Sequence, residues 1–382
     1  MDRTPERDDN PLAVYELSAT IHPVSFNRHL SGSRRVNRKP FFWIGPLALV
    51  AFVGVGATSS EAGQARMQRR PAKSSRATSA TARRTAYSAL RSQARRTKLA
   101  RARATAMARE MAEALPRYKI DASGDLVPDL RAAAAIIYDP ETNQVLWEEN
   151  SQSQRSIASI TKVMTATVFL ENDPDLSQPV SIVRSDVFQA STTHLRSTDK
   201  VTADDLLHLL LIASDNAAAR ALARVSPYGP EGFVARMNEK AQELGLQNTH
   251  YADPSGLLSE NMSSAYDMAR LITLASQDER MSSAMRMSEY TVYSNRRAIS
   301  FHSTNHLLGR ADVDVRAGKT GFISKAGYCL ATLLRMPDNG PSVAVVVLGA
   351  HSNAGRFMES RNLFNWVTSK SPTLFATRTQ QQ

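Results

Sequence analysis

Cysteine is almost absent from this chain of 382 residues, which contains only Cys329. A single cysteine excludes an internal disulfide bond and a cysteine-rich metal site. The histidines lack the His-Glu-x-x-His spacing that binds zinc in metallopeptidases. No Gly-x-x-x-x-Gly-Lys-Ser/Thr run is present to cradle a nucleotide phosphate. We therefore expect neither a metal nor another cofactor.

Acidic residues are missing from one long segment. Residues 66–109 contain fourteen Lys or Arg and no Asp or Glu, so the rest of a chain with net charge +11 has a charge of −3. Because the basic character is local, a nucleic-acid-binding function loses its support, and we expect no specific nucleic-acid partner. Residues 58–117 are predicted to be a solvated basic linker, or an arm that binds an anionic membrane or wall polymer. On such a surface residues 97–115 are expected to become helical.

Long apolar runs are also rare, and only residues 41–57 form one without a charged side chain. Four Lys or Arg at positions 34–39 precede this run, an arrangement typical of an export signal. Seventeen residues are at the low end for spanning a bilayer. We expect residues 1–57 to be a polar segment followed by this signal, with export to the periplasm or cell envelope. The run is then either cleaved after Ala57 or kept as an inner-membrane anchor.

A serine and a lysine three residues apart are the first sign of chemistry. Ser159-Ile160-Thr161-Lys162 opens a predicted helix that runs to about Glu171. Residues three apart on a helix lie one above the other, so the lysine amine can reach the serine hydroxyl. Serine becomes a good nucleophile when a base takes its proton, and lysine is such a base when burial or a second cation lowers its pKa. Alone, Ser-x-x-Lys also fits a helix cap with a solvated lysine.

Two further motifs decide between these interpretations. Ser214-Asp215-Asn216 and Lys319-Thr320-Gly321 follow in the order that, together with Ser-x-x-Lys, marks penicillin-binding proteins and class A β-lactamases. Residues 133–367 resemble the penicillin-binding D-alanyl-D-alanine peptidases, and among them the small D-alanyl-D-alanine endopeptidases. The resemblance is also carried by Leu244-Gly245-Leu246, Asp253-Pro254-Ser255-Gly256-Leu257, Ser303-Thr304-Asn305-His306-Leu307 and Ala326-Gly327-Tyr328-Cys329-Leu330.

The resemblance implies an α/β fold of the β-lactamase/transpeptidase type. Such a fold has an antiparallel sheet flanked by helices and a helical subdomain that carries Ser214 and Asn216. The pattern of the chain agrees, because strand-like runs at both ends of residues 118–370 enclose helical stretches. Pro337-Asp338-Asn339-Gly340 predicts a hairpin turn between two of these strands. We expect residues 371–382 to be a flexible tail.

The resemblance also assigns roles. Ser159 is the expected nucleophile that forms an acyl-enzyme, Lys162 its base, and Ser214 the residue that relays the proton to the leaving amine. The expected substrate-binding residues are Asn216, Lys319, Thr320, Gly321 and Phe322. Lys319 and Thr320 would receive the carboxylate side of the D-residue, while the backbone N–H groups of Ser159 and Phe322 would form the oxyanion hole.

Two physical expectations concern the Lys319 strand. Lys319 is the second cation that could lower the pKa of Lys162. The small residues Gly318, Thr320 and Gly321 are expected to let the substrate backbone approach and lie against the strand. Asp215, Asn305 and His306 are interpreted as structural.

The implied function is a serine D-Ala-D-Ala peptidase that acts on peptidoglycan peptide stems and is inhibited covalently by β-lactam antibiotics. Endopeptidase activity is favoured by residues 303–307 and by the chain ending soon after its last predicted helix; the alternative is a carboxypeptidase. A class A β-lactamase would hold a glutamate for deacylation, but residues 239–251 resemble the peptidases instead. A non-catalytic wall-binding protein is a further alternative, although the intact Ser159, Lys162 and Lys319 argue against it.

Overall fold

The computed structural model describes residues 75–375. The predicted signal or anchor over 41–57 lies outside the described residues, as do the polar segment before it and the last seven residues of the predicted tail. The strands are β1 (Tyr118–Ile120), β2 (Leu126–Pro128), β3 (Ala134–Asp139), β4 (Gln144–Glu149), β5 (Arg155–Ser156), β6 (Pro179–Ser181), β7 (Lys200–Thr202), β8 (Met262–Ser263), β9 (Glu289–Tyr293), β10 (Ala298–His302), β11 (Asp314–Ile323), β12 (Gly327–Arg335) and β13 (Ser342–Ala350).

Helices fill the long interval between the strands at the two ends of the domain. They are α1 (Ser75–Ala114), α2 (Thr161–Leu170), α3 (Arg184–Val187), α4 (Ala203–Leu211), α5 (Asn216–Val225), α6 (Gly229–Glu243), α7 (Ala265–Gln277), α8 (Glu279–Arg286) and α9 (Asn353–Leu374). A 3₁₀ helix, Ala158–Ile160, leads directly into α2.

The central sheet is antiparallel and has five strands in the order β11-β12-β13-β3-β4. Distant parts of the sequence therefore meet in it, since β3 from the beginning of the domain pairs with β13 near its end. The β12–β13 hairpin turns at Pro337-Asp338-Asn339-Gly340, where Asp338 and Asn339 both have a φ of 56°. Positive φ at two central residues matches the twist of a tight hairpin. The prediction of this turn is confirmed.

Strand β13 is buried on both faces, which explains its nearly unbroken apolar sequence. Val343, Val345 and Val347 pack in the cluster that includes Phe357, Leu363, Phe364 and Val367 of α9. The alternate side chains Ala344, Val346 and Leu348 pack in the cluster formed with α2, α4, α5, α7 and α8. The sheet thus separates α9 from a helical layer, and the α/β fold with flanking helices is confirmed.

Hydrogen-bonded caps fix where the helices of that layer begin. Thr202 Oγ1 accepts from the Asp205 N–H at 3.0 Å, and the Asp205 carboxylate accepts from the Thr202 N–H at 3.0 Å. This reciprocal pair satisfies N–H groups that the first turn of α4 leaves free. The apolar residues of α4 are buried, and the chain then turns to deliver Ser214.

Helix α1 covers most of the segment that was expected to be a linker. It spans forty residues, Ser75–Ala114, and so extends well beyond the expected helical stretch of 97–115. Its described side chains are exposed to solvent. At the other end, α9 continues to Leu374, past the expected start of the tail at residue 371. Within residues 75–375 no helix has the length and apolarity needed to cross a membrane.

Candidate active site

Ser159 lies in a tight turn at the start of the α2 segment. The α-helix begins at Thr161 and not at Ser159, because residues 158–160 form the 3₁₀ turn. Ala158, immediately before the serine, has a φ of 48°, a left-handed conformation that costs energy for a residue other than glycine. The three-residue spacing still brings the lysine amine to the serine hydroxyl as expected, since Lys162 Nζ lies 2.9 Å from Ser159 Oγ.

Lys162 is completely buried, yet its amine has three acceptors. Besides Ser159 Oγ, it donates to Asn216 Oδ1 at 2.6 Å and to the Ser255 carbonyl at 2.5 Å. Burial lowers the pKa of Lys162 to about 7, although the charges of Asp253 and Asp215 oppose this shift. A lysine with this pKa is neutral in part at neutral pH and can accept a proton. Burial is the main cause, which agrees with the first of the two causes considered from the sequence, whereas Lys319 is not among the groups that shift the pKa of Lys162.

The Ser-Asp-Asn motif forms a strained turn before α5. Ser214 has a φ of 61°, which directs its hydroxyl to the Lys319 amine at 2.8 Å. Asp215 caps α5 by accepting from the Ala218 N–H at 3.0 Å, and it also accepts from the His194 N–H at 2.6 Å. Asn216 completes the link to Lys162 and is held by a bond from its Nδ2 to the Ala190 carbonyl at 2.6 Å. Asp215 thus holds the loop, as interpreted from the sequence.

Strand β11 carries the third motif along the edge of the cleft. Lys319 is buried and donates to the Thr320 carbonyl at 3.0 Å in addition to Ser214. Burial, together with the charges of Lys162 and Arg356, holds the pKa of Lys319 well below its usual range. The Thr320 hydroxyl lies 2.7 Å from that of Thr304, so residues 303–307 border the site.

The two glycines of β11 have a different purpose from the expected one. A Cβ on Gly321 would lie 2.5 Å from the Ile157 carbonyl oxygen and 3.2 Å from the Ser159 nitrogen. A Cβ on Gly318 would lie 2.6 Å from Asn305 Nδ2. The protein itself occupies the space beside both glycines, so they allow β11 to pack against the nucleophile turn and Asn305. The expectation that the two glycines make room for the substrate was wrong, because protein atoms fill the space that their side chains would occupy.

These elements enclose a cleft of about 430 Å³. Its lining includes Ser159, Thr192, Ser214, Asn216, Leu257, Thr304, Thr320, Gly321, Phe322 and Arg356. None of the described lining residues is an Asp or Glu. Phe322 is 48% exposed at the rim and stacks on Tyr328, with ring centroids 4.2 Å apart. All the side chains predicted from the three motifs therefore meet in one cleft or directly behind it.

Sequence reasoning missed Arg356 at the first turn of α9. Its buried guanidinium donates to the Gly321 carbonyl at 2.9 Å and to the Cys329 carbonyl at 3.2 Å, while its Nε has no hydrogen-bond partner among the described residues. Burial lowers the pKa of Arg356 to about 10, so the group is still a cation at neutral pH. A cation here suits an anionic substrate group. The sequence did contain one signal of a buried role. Arg356 shares a helical face with Ser360, Leu363 and Val367, where a charged side chain is unexpected.

A second omission is Asp253, which lies behind the Lys162 amine and contributes a negative charge to it. The stretch was noted from the sequence only as part of a resemblance.

Metal ligands are not clustered in the part of the chain that the structure describes. These residues contain no group of three or more His, Cys, Asp or Glu that could hold an ion.

The chain is similar to known peptidases over this whole region. Residues 121–352 match the family described as D-alanyl-D-alanine carboxypeptidase. The D-alanyl-D-alanine endopeptidase of Pseudomonas aeruginosa is 33% identical over 252 residues, which cover 65% of this chain and 81% of that protein. The D-alanyl-D-alanine endopeptidase of Escherichia coli is 32% identical over 244 residues, covering 63% and 78%. A solved D-alanyl-D-alanine carboxypeptidase from Mycobacterium tuberculosis aligns with a TM-score of 0.60 at 26% identity, covering 65% and 94%.

Proposed function

The chain belongs to the D-alanyl-D-alanine carboxypeptidase family of serine peptidases, and we propose that it is an endopeptidase that cuts D-Ala crosslinks between peptidoglycan stems. The observation that carries the chemistry is the contact of the buried Lys162 amine with Ser159 Oγ at 2.9 Å. The preference for endopeptidase over carboxypeptidase is supported by the endopeptidases among its relatives. Carboxypeptidase activity on the terminal D-Ala is the second candidate, supported by the family description.

Acylation follows from the positions of the motif residues. Ser159 Oγ attacks the carbonyl carbon of the D-Ala residue while Lys162 Nζ takes the hydroxyl proton. The oxyanion that forms is stabilised by the backbone N–H groups of Ser159 and Phe322. The peptide C–N bond then breaks, and the leaving amine receives a proton through Ser214, whose hydroxyl accepts a bond from Lys319 at 2.8 Å.

Substrate binding uses the cations along β11. Thr320 and Arg356 line one side of the cleft, and the Lys319 amine lies directly behind it against Ser214. These donors and positive charges suit a carboxylate on the leaving-group side of the D-Ala bond. Asn216 is the expected hydrogen-bonding partner of the substrate backbone. Gly321 keeps the strand close to Ser159, so the bound carbonyl and the nucleophile stay within reach.

Digestion of purified peptidoglycan tests this function. Incubation followed by chromatography of the fragments should convert crosslinked dimers into monomers, because the crosslink is the bond that is cut. Release of D-Ala from pentapeptide stems with dimers left intact would instead indicate a carboxypeptidase. Ser159→Ala is the matched control. It should keep the fold and lose both the digestion and covalent labelling by a fluorescent penicillin.

Persistence of the penicillin adduct separates a peptidase from a β-lactamase. Class A β-lactamases use a glutamate in deacylation, whereas the described residues that line this cleft include no carboxylate. The penicilloyl-enzyme should therefore persist for minutes or longer, since each tenfold slowing needs only about 1.4 kcal/mol of added barrier. Mass spectrometry of the intact protein over time measures this directly. Rapid penicillin turnover without an adduct would contradict the peptidase assignment.

Location is a separate part of the proposal. The charge-free run at 41–57 after a basic stretch supports export to the periplasm or cell envelope, with the run as a cleaved signal or an inner-membrane anchor. The exposed basic side chains of α1 support binding to an anionic membrane surface or wall polymer. Fractionation of cells that express the full chain tests the first idea, because the activity should appear in the envelope fraction.

A further inference from the structure

A loop from another part of the chain, residues 253–261, forms hydrogen bonds to the chain on both sides of Ser159. We call this loop the clamp loop. Before the serine, the Ile157 N–H donates to the Asn261 carbonyl at 3.1 Å. After it, the Thr165 hydroxyl donates to the Pro254 carbonyl at 2.6 Å, in addition to the bond from Lys162 to Ser255. The turn and the base therefore depend on the same loop.

Gly256 shows how closely the clamp loop and the turn are packed. Its φ is 76°, and a Cβ built on it would lie 2.1 Å from the Ala158 carbonyl oxygen and 2.9 Å from the Ser159 nitrogen. Such contacts with backbone atoms leave no room for another residue type. A shift of the clamp loop would therefore move the nucleophile turn with it.

Asp253 holds the clamp loop in this shape with both of its carboxylate oxygens. Oδ2 accepts from the Ser255 N–H at 2.9 Å and from the Ser255 hydroxyl. Oδ1 accepts from the Leu258 N–H at 3.1 Å and from Asn261 Nδ2 at 2.5 Å. Burial opposes its ionisation, but these bonds outweigh burial and lower the pKa of Asp253. The carboxylate is therefore charged at neutral pH.

We propose that Asp253 is a positioning residue for acylation, which shapes the clamp loop so that the Ser255 carbonyl holds the Lys162 amine against Ser159, and whose negative charge favours the protonated form of that amine. The inference rests on the roles of Ser159 and Lys162 proposed above. Asp253 itself touches neither of these two side chains through a hydrogen bond in the described structure. Its effect is transmitted through Ser255 and through its charge.

Other charged groups face Lys162 from each neighbouring element. Asp215, before α5, favours the protonated amine as Asp253 does, whereas Arg220 of α5 disfavours it. Lys319 of β11 is a like charge, and the charge of Lys162 contributes to lowering the pKa of Lys319. Removing Asp253 alone leaves the other three in place. Protonation of Lys162 should then become harder and occur only at lower pH.

The pH dependence of penicillin acylation tests the role of Asp253. The second-order rate constant is measured with the full chain between pH 5 and pH 9 for the wild type, Asp253→Asn and Asn261→Ala, together with thermal unfolding of each. In Asp253→Asn the midpoint of the acidic limb should move down by about 1 pH unit, because a nearby negative charge is lost. The plateau at high pH should fall, because Ser255 loses a charged acceptor.

Asn261→Ala is the matched control, since it removes a second support of the clamp loop without changing its charge. It should lower the unfolding temperature and leave the midpoint where it is. An unchanged midpoint in Asp253→Asn, or equal midpoint shifts in both variants, would overturn the role of the Asp253 charge. A wild type that penicillin does not label at Ser159 would instead contradict the proposed function, and the role of Asp253 with it.

Discussion

Two regions of this protein carry positive charge in opposite ways. In the cleft, Lys162 and Lys319 are almost completely buried, with 0% and 1% of their surface exposed. Along α1, Arg91, Arg95 and Lys98 are exposed to solvent. Burial makes a cation costly and shifts its pKa, so it can exchange a proton at neutral pH. Exposure leaves the charge permanent, screened by salt and available for long-range attraction. The buried cations are therefore suited to proton transfer in catalysis, and the exposed cations are suited to attracting the protein to an anionic surface.

Replacing the buried base with a permanent cation should have the largest effect. Lys162→Arg keeps a positive charge, but a guanidinium does not give up its proton near neutral pH. Because the neutral form is what activates Ser159, acylation by penicillin should slow by about 10²–10⁴-fold. The rate is measured from a time course of labelling with a fluorescent penicillin, in which samples are quenched at set times. Circular dichroism checks the fold.

The matched control for that substitution is Arg91→Lys on α1, which likewise exchanges one basic residue for the other at an exposed site. It should leave the acylation rate unchanged. A folded Lys162→Arg variant that acylates at the wild-type rate would show that Lys162 is not the base.

The sequence identified the reacting groups because their motifs depend on local spacing. Ser159 and Lys162 are three residues apart, so a single helical turn predicts their contact. Gly321 was misinterpreted because the atoms that need its small size belong to Ile157 and Ser159, more than 150 positions earlier in the chain. Arg356 and Asp253 were missed for the same reason, since each acts across contacts that only the folded chain creates.

The fold shows the same division between local and distant information. The β12–β13 hairpin and the Thr202–Asp205 cap were predictable, since turn residues and capping pairs act over four positions. The pairing of β3 with β13 joins segments about 200 residues apart and has no local signal. Resemblance to a family supplied that part of the prediction. Helix α1 was underestimated because its few apolar residues gave no reason to order it.

A change of pH should have an intermediate effect, because it changes the protonation of the buried Lys162 amine. The pKa of Lys162 is about 7, below the usual lysine value, so its neutral form prevails above pH 7 and is lost below it. The acylation rate should level off above about pH 7 and fall about tenfold for each pH unit well below it. The measured midpoint belongs to Lys162 and Lys319 together, since the two amines repel each other. A rate that is flat from pH 5 to pH 9 would exclude a lysine base.

The smallest effect on the chemistry is expected from the exposed charges of α1. Arg91, Arg95, Lys98 and Arg101 follow one side of this helix at spacings of three and four residues. Each cation close to an anionic membrane is worth on the order of 1 kcal/mol, an attraction that decays within roughly 8–10 Å at moderate salt. Changing all four to Gln should weaken co-sedimentation with anionic vesicles at least about tenfold at low salt. Hydrolysis of a soluble peptide should stay the same.

Net charge alone could produce the same loss, so a second variant with an equal change in charge is needed. Lys200, Arg296, Arg310 and Lys370 are exposed cations of the peptidase domain and can be changed to Gln together. If α1 is the binding surface, this variant should still sediment with vesicles at low salt and be released at high salt, as the wild type is. Equal losses in the two variants would mean that binding follows total charge, and α1 would then serve only as a spacer.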